Sequence, residues 1–194
     1  FIESHSGPDI KGNFSITAKD AIKFLDGNKA QAPLPSNGRL LNDITETATT
    51  LTLDPAGIGS EYSTSGIASI GDEIVSFTRS GDVITLTGRG LRGTEQEAHE
   101  AEEVFQEALV FDSESPSDII HHLIFGTAIQ GRRYTDTPLG YADLEKWQQE
   151  VRDFYGLLLS AEIVRPTPVK DLVSELIQQV GLEFYTDVIE QKLI

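Results

Sequence analysis

The chain contains no cysteine, which excludes disulfides, thiolate metal sites and cysteine nucleophiles. Methionine is absent as well, including at position 1. With apolar residues at both ends (Phe1-Ile2 and Leu193-Ile194), that absence leads us to expect an excised stretch of a longer polypeptide. No apolar run approaches the roughly 18–20 residues of a membrane span, and no basic-then-apolar signal segment opens the chain. Basic side chains are scarce: 15 Lys and Arg stand against 31 Asp and Glu, a formal charge of −16. Such a surface repels a phosphate backbone, so stable nucleic-acid binding is not expected. The acid is concentrated between Thr94 and Asp118, where nine carboxylates occur without one Lys or Arg. That run reads as a solvated, self-repelling face, or as a wall to which passing nucleic acid does not stick.

A length of 194 residues suffices for one domain or two small ones. Residues 12–18 (GNFSITA) alternate Phe14 and Ile16 with polar residues, as a half-buried strand does. AIKFL, closed by Asp26-Gly27-Asn28, reads as a short helical turn, and residues 30–38, with two prolines and a glycine, as a connector. From Ile44 to Phe111 the pattern is β. Thr49 to Leu53 form a strand ended by Asp54-Pro55-Ala56-Gly57. Glu73 to Thr78 and Val83 to Thr87 pair around a loop at Arg79–Asp82. Phe105 to Phe111 is one strand closing the unit.

Past Asp112 the period becomes helical. Ser115-Pro116-Ser117-Asp118 starts a helix carrying Ile119, Ile120, Leu123 and Ile124 on one face. Tyr141 to Leu159 spaces Leu144, Trp147, Val151, Phe154, Tyr155 and Leu158 as an amphipathic helix with Trp147 in its core stripe. Thr167 offers an N-cap with Pro168 at the first helical position, before a stripe of Val169, Leu172, Val173, Leu176 and Ile177, and Gly181 closes this helix. The tail from Leu182 to Ile194 reads as extended. The order of elements is α+β rather than alternating parallel α/β.

Gly88-Arg89-Gly90-Leu91-Arg92-Gly93 matches G-x-G-x-x-G after a strand, the spacing by which backbone approaches a pyrophosphate. Here the strand belongs to a tight hairpin, and the residues after the last glycine include Glu95, Glu97, Glu100, Glu102 and Glu103, poor company for a diphosphate. The glycines therefore read as turn formers. His5, His99, His121 and His122 show no metal-ligand spacing; the adjacent pair diverges by about 100° on a helix. His99, set among acids, reads as a structural hydrogen-bonding residue. There is no G-x-S-x-G elbow and no Asp-x-Asp calcium loop. We assign no catalytic, cofactor-binding or metal residue, although a carboxylate pair of the kind used in glycoside cleavage can come from distant elements.

Three stretches carry a resemblance. Gly7-Pro8-Asp9, Gly12, residues 15–20 (SITAKD) and residues 29–33 (KAQAP) form the first. Ile70-Gly71-Asp72-Glu73 with Arg89-Gly90, Arg92-Gly93-Thr94, His99 and Val104 form the second. Ala161-Glu162-Ile163 with Val169, Leu172, Glu175-Leu176 and Asp187-Val188 form the third. Together they resemble tail-tip structural proteins of tailed phages and prophages. The chain departs from that pattern at HEAEEV, acidic where the family is commonly glycine-rich. The resemblance implies a hub-like α+β body (residues 1–35 and 112–194) with a small inserted all-β domain (36–111). It further implies a non-enzymatic subunit of a tail tip or baseplate hub, bridging tail tube and receptor-binding apparatus around the DNA channel. Implied partners are the tail tube or distal tail protein, a fibre or receptor-binding protein, and further copies in a homo-oligomeric, trimeric ring. The location would be the virion tail, assembled in the bacterial host cytoplasm. The alternative is a host-surface or carbohydrate-binding module of a virion tail protein, in which the β domain reads its ligand through an exposed Tyr62 and its loops.

Overall fold

The computed structural model describes residues 2–18, 25, 30–128, 131–137, 139–153, 156–183, 185–187 and 192–193. It is α+β and mostly β, with two hydrophobic clusters.

The first cluster fills a six-stranded antiparallel sheet. Its strands are β4 (Arg39–Leu40), β5 (Thr50–Asp54), β6 (Ser65–Ile70), β7 (Glu73–Ser80), β8 (Val83–Gly88) and β9 (Phe105–Glu107), in the spatial order β4-β5-β8-β7-β6-β9. Alternation decides which face is interior: Leu51 and Leu53 on β5, Val75 and Phe77 on β7, and Ile84 and Leu86 on β8 point inward. Their neighbours Val83, Thr85 and Thr87 point outward. Phe105 packs edge-on against Phe77 at 5.2 Å and Tyr62 at 5.5 Å between ring centres, a geometry aromatic pairs favour.

The outer strands meet, so the sheet nearly closes into a barrel. Arg39 pairs with Val104, Leu40 N–H donates to Glu103 O at 2.9 Å, Glu102 N–H donates to Leu40 O at 2.9 Å, and Phe105 N–H donates to Gly38 O at 3.1 Å. Closure removes the unpaired edges that an open sheet presents to other chains.

The hairpin between β7 and β8 is tighter than the pattern suggests. Both strands run on to leave only Gly81-Asp82 as the loop, with Gly81 at φ +61°. Asp82 then accepts from Gly57 N–H at 2.7 Å and Gly59 N–H at 2.8 Å, tying this tip to a 3-10 turn at Ile58–Glu61.

Residues 105–111 are not one strand. After β9 the chain turns at Ala108, whose N–H donates to Ile67 O, and β10 (Leu109–Glu114) pairs with β11 (Leu159–Ile163) in a separate sheet. Phe105 serves the barrel, whereas Phe111 serves the second cluster.

That cluster gathers Leu25, Ala30, Ala32 and Phe111 with Ile119, Ile120, Leu123, Ile124 and Phe125 of α1 (Pro116–Phe125). Tyr134, Trp147, Val169 and Val173 complete it. Ser115 precedes α1 in extended conformation with Pro116 leading the helix, the expected start.

The expected helix over Tyr141–Leu159 is shorter than its spacing implies. It comprises α2 (Leu144–Trp147) and a wider π turn at Gln148–Arg152. Gly156, at φ +60°, ends it by accepting the left-handed conformation that side-chain-bearing residues resist. Leu158 is exposed and Leu159 begins β11, while Trp147 is core as expected. Phe154 and Tyr155 lie outside the described residues.

The last helix, α3 (Val169–Val180), starts one residue later than expected. Pro168 is its cap, and Thr167-Pro168 forms β12, paired with β3 (Gln31–Ala32). Thr167 Oγ1 donates to Arg165 O instead of capping the helix. Val169 and Val173 are fully buried, and Leu172, Leu176 and Ile177 pack on the cluster partly exposed. Gly181 closes α3 at φ +71°, as its position predicts.

Near the N-terminus, β1 (Ile2–Ser6) and β2 (Ser15–Ala18) form a hairpin. Residues 4–17 are exposed throughout, so Phe14 and Ile16 do not bury one face as their alternation suggests. The helical turn expected in AIKFL falls outside the described residues except for the buried Leu25. Within the tail, β13 (Thr186–Asp187) pairs with β14 (Lys192–Leu193), and residues 188–191 lie outside the described set. Among the described residues no helix is long and apolar enough to cross a membrane.

Barrel closure makes a measurable prediction. The amides of Leu40, Glu102 and Phe105 should exchange with solvent deuterium as slowly as those in the centre of β7. Exchange within the first seconds would show the seam open.

Candidate functional site

The sequence offered one place where chemistry could reside, the Gly/Arg bend after β8. The structure turns that bend inward. Glu73 begins β7 in phase with Val75 and Phe77, so its side chain enters the barrel end and is fully buried. A carboxylate there must be met by donors. Arg89 supplies a two-pronged pair, Nε to Oε1 and Nη2 to Oε2, both at 2.6 Å. Gly90 N–H donates to Oε1 at 2.9 Å and Glu97 N–H to Oε2 at 3.3 Å, while His99 Nε2 meets Oε2 at 2.8 Å.

Each partner is held in turn. Arg89 Nη1 donates to Ala48 O at 3.1 Å. The His99 backbone exchanges hydrogen bonds with Ile44, and its Nδ1 lies 3.0 Å from Glu103 Oε2. A neutral imidazole has one N–H and can donate to only one of these two carboxylates; the doubly protonated ring donates to both. Glu103 Oε1 accepts from Glu100 N–H. Thr94 Oγ1 accepts from Ile74 N–H at 3.0 Å and donates to Leu91 O at 2.7 Å.

The bend's geometry requires its glycine. Gly90 sits at φ +58°, and a Cβ there would lie 3.1 Å from both Gln96 N and Thr94 O. Leu91–Gly93 makes a single 3-10 turn rather than a helix, and the Gly90 N–H is already committed to Glu73. The amide that a phosphate cradle would present first is thus turned toward an interior carboxylate. Arg92, also at positive φ, points the other way and forms a two-pronged pair with Glu162 of β11, lowering that carboxyl's pKa through its hydrogen bond. Together with an Arg165–Asp72 pair and Ser69 Oγ donating to Val164 O at 3.2 Å, it ties the barrel to the second cluster. The resemblance motif therefore contains an interior network (Glu73, Arg89, Thr94, His99) and an outer tie (Asp72, Arg92).

The remaining residues singled out in the sequence are scattered. His121 packs tilted against Phe125 and lies edge-on to Trp147; His122 packs on Phe111 and Tyr134. Burial lowers the pKa of both. His5 stacks on Phe14 in the exposed hairpin. Tyr62, expected to be exposed, is 3% exposed: its hydroxyl donates to Phe105 O at 2.9 Å and accepts from Gly38 N–H at 3.1 Å. It is a strut of the barrel seam, its ring packed inside. Of the nine carboxylates between Thr94 and Asp118, Glu95, Glu97, Glu100, Glu102 and Asp112 are exposed, and Glu103 is drawn into the Glu73 network.

Sequence reasoning missed Glu73 as the centre of this site. The signal was available, since a lone acid in phase with Val75 and Phe77 on a strand's apolar face must be paired inside. Compared with protein-family models, curated proteins and solved structures, the chain finds no match.

Burial on its own would raise the Glu73 carboxyl, but the donations from Arg89, His99, Gly90 and Glu97 outweigh it and hold its pKa down, from 4.5 to about 2. Because the folded value lies below the unfolded one, the stabilisation is complete above about pH 4.5 and is lost as pH falls toward 2. Its size is on the order of 3 kcal/mol. Substituting Glu73→Gln should remove this share of the acid dependence in urea titrations between those pH values. At neutral pH it should cost about 3–5 kcal/mol, because buried Arg89 loses its counter-charge. An unchanged acid slope would show that Glu73 does not carry it.

Proposed function

We propose that the chain is part of a non-enzymatic structural subunit of a phage tail tip or baseplate hub, organised as a hub-like body with an inserted barrel domain. The observation that carries this reading is the internal commitment of the Gly/Arg bend: Arg89 and the Gly90 amide are spent on Glu73 and Arg92 on Glu162, which is what a mechanical part requires. Among the described residues the nearly closed barrel leaves little free strand edge, so neighbours would be engaged through the exposed β1–β2 hairpin and the two-stranded β10–β11 sheet. Its partners would be tail tube or distal tail proteins, a fibre or receptor-binding protein, and further copies in a trimeric ring. Exposed Glu95, Glu97, Glu100 and Glu102 would line the DNA passage, where like charge keeps the phosphate backbone from adhering. The alternative of a glycan reader would rest on the loops of the β domain, since Tyr62 is interior.

Two measurements on the intact protein test this together. Light scattering should report a homo-oligomer, and mass spectrometry of purified virions should find the chain in the tail. A monomer absent from virions would overturn the reading.

A further inference from the structure

A cleft of about 390 Å³ opens where the barrel meets the second cluster, walled by Pro33, Leu34 and Pro35 on one side and by β6, β9 and Tyr134 on the other. Two of its polar groups are incompletely satisfied. Tyr134 is 4% exposed, yet its hydroxyl makes no hydrogen bond with any described residue. Glu107 is half-buried, with Oε2 taken by Ser63 N–H at 3.1 Å. Burial raises the Glu107 pKa against the lowering effects of Ser63 and the Arg79 charge. Burial, and then the Glu107 charge, push the Tyr134 hydroxyl up to about 12, so it remains a neutral hydroxyl with lone pairs to offer. His122 Nε2, sealed in the cleft wall, is also without a partner.

We infer that this cleft receives a lysine side chain from a partner polypeptide, its ammonium held by Glu107 and Tyr134 and its aliphatic stem lying along the proline wall. Several features select this occupant. An acid whose burial is undercompensated gains most from an arriving cation. With Oε2 accepting from Ser63 N–H, Glu107 does not have both oxygens free for a two-pronged guanidinium, whereas an ammonium needs a single lone pair. The wall of Pro33, Leu34, Pro35, Ile67 and Leu109 matches an apolar stem. The charge of −16 draws basic partners, and Glu61 adds a second carboxylate to the lining against one exposed arginine, Arg132. This inference is independent of the tail-hub reading and can fail without it.

The test is an NMR titration at pH 7 with Nα-acetyl-lysine methylamide, alongside its norleucine counterpart and 1,4-diaminobutane. Saturable shifts mapping to Glu107, Tyr134 and Ile67, seen with the lysine amide and not with norleucine, are expected. Glu107→Gln keeps an acceptor for Ser63 and should weaken binding by about tenfold or more; Tyr134→Phe should weaken it less and supplies the reading should the first variant fail to fold. Equal binding of norleucine, shifts spread over the acidic surface, or indifference to both substitutions would overturn the site. Tighter binding of the diamine would overturn the assignment to a polypeptide side chain.

Discussion

A carboxylate placed inside a small barrel has to be surrounded by donors, and the barrel end is arranged to meet that demand at Glu73. One side chain draws together β7, the end of β8, the bend beyond it and the returning segment at His99, which are separated by up to 26 residues in sequence. Each donor belongs to a segment that would otherwise be an irregular loop with little to hold it. The network thus acts as an internal clasp. It orders the bend so that Arg92 faces outward to Glu162, and it draws in His99, whose backbone pairs with Ile44 close to where the barrel seam closes. A buried ion pair of this kind is weak evidence for net stability, since an apolar replacement can do as well. Its contribution here is conformational: it dictates one path for the chain.

Much of the architecture was legible because hydrophobic periods are local. The β pattern from Ile44 onward, the start of α1 at Ser115-Pro116, and the end of α3 at Gly181 all derive from neighbouring residues. The errors have identifiable causes. Gly156 was passed over inside a periodic stretch, so a helix was carried across a glycine that terminates it. Residues 105–111 alternate only weakly, and nothing local shows that Phe105 and Phe111 serve different clusters. Tyr62 looked exposed because its flanks are polar, yet both its partners, Gly38 and Phe105, are distant in sequence. The cleft at Glu107 and Tyr134 depends on contacts between the two clusters, which no local pattern encodes.

For function, the consequence is a division of labour among charges. Acids that face inward, Glu73 and partly Glu103, are paired and build the fold. Most acids that face outward, such as Glu95, Glu97, Glu100 and Glu102, give the surface its negative charge. Near-closure of the barrel covers its sheet edges, while the β1–β2 hairpin stays exposed.

The central claim is that the Gly/Arg bend exists to clasp Glu73. A double-mutant cycle between Glu73→Gln and Arg89→Gln, read by urea denaturation at neutral pH, measures this most directly. The account predicts a coupling of about 2–3 kcal/mol, the double variant losing far less than the sum of the single losses. Additivity within about 0.5 kcal/mol would contradict it.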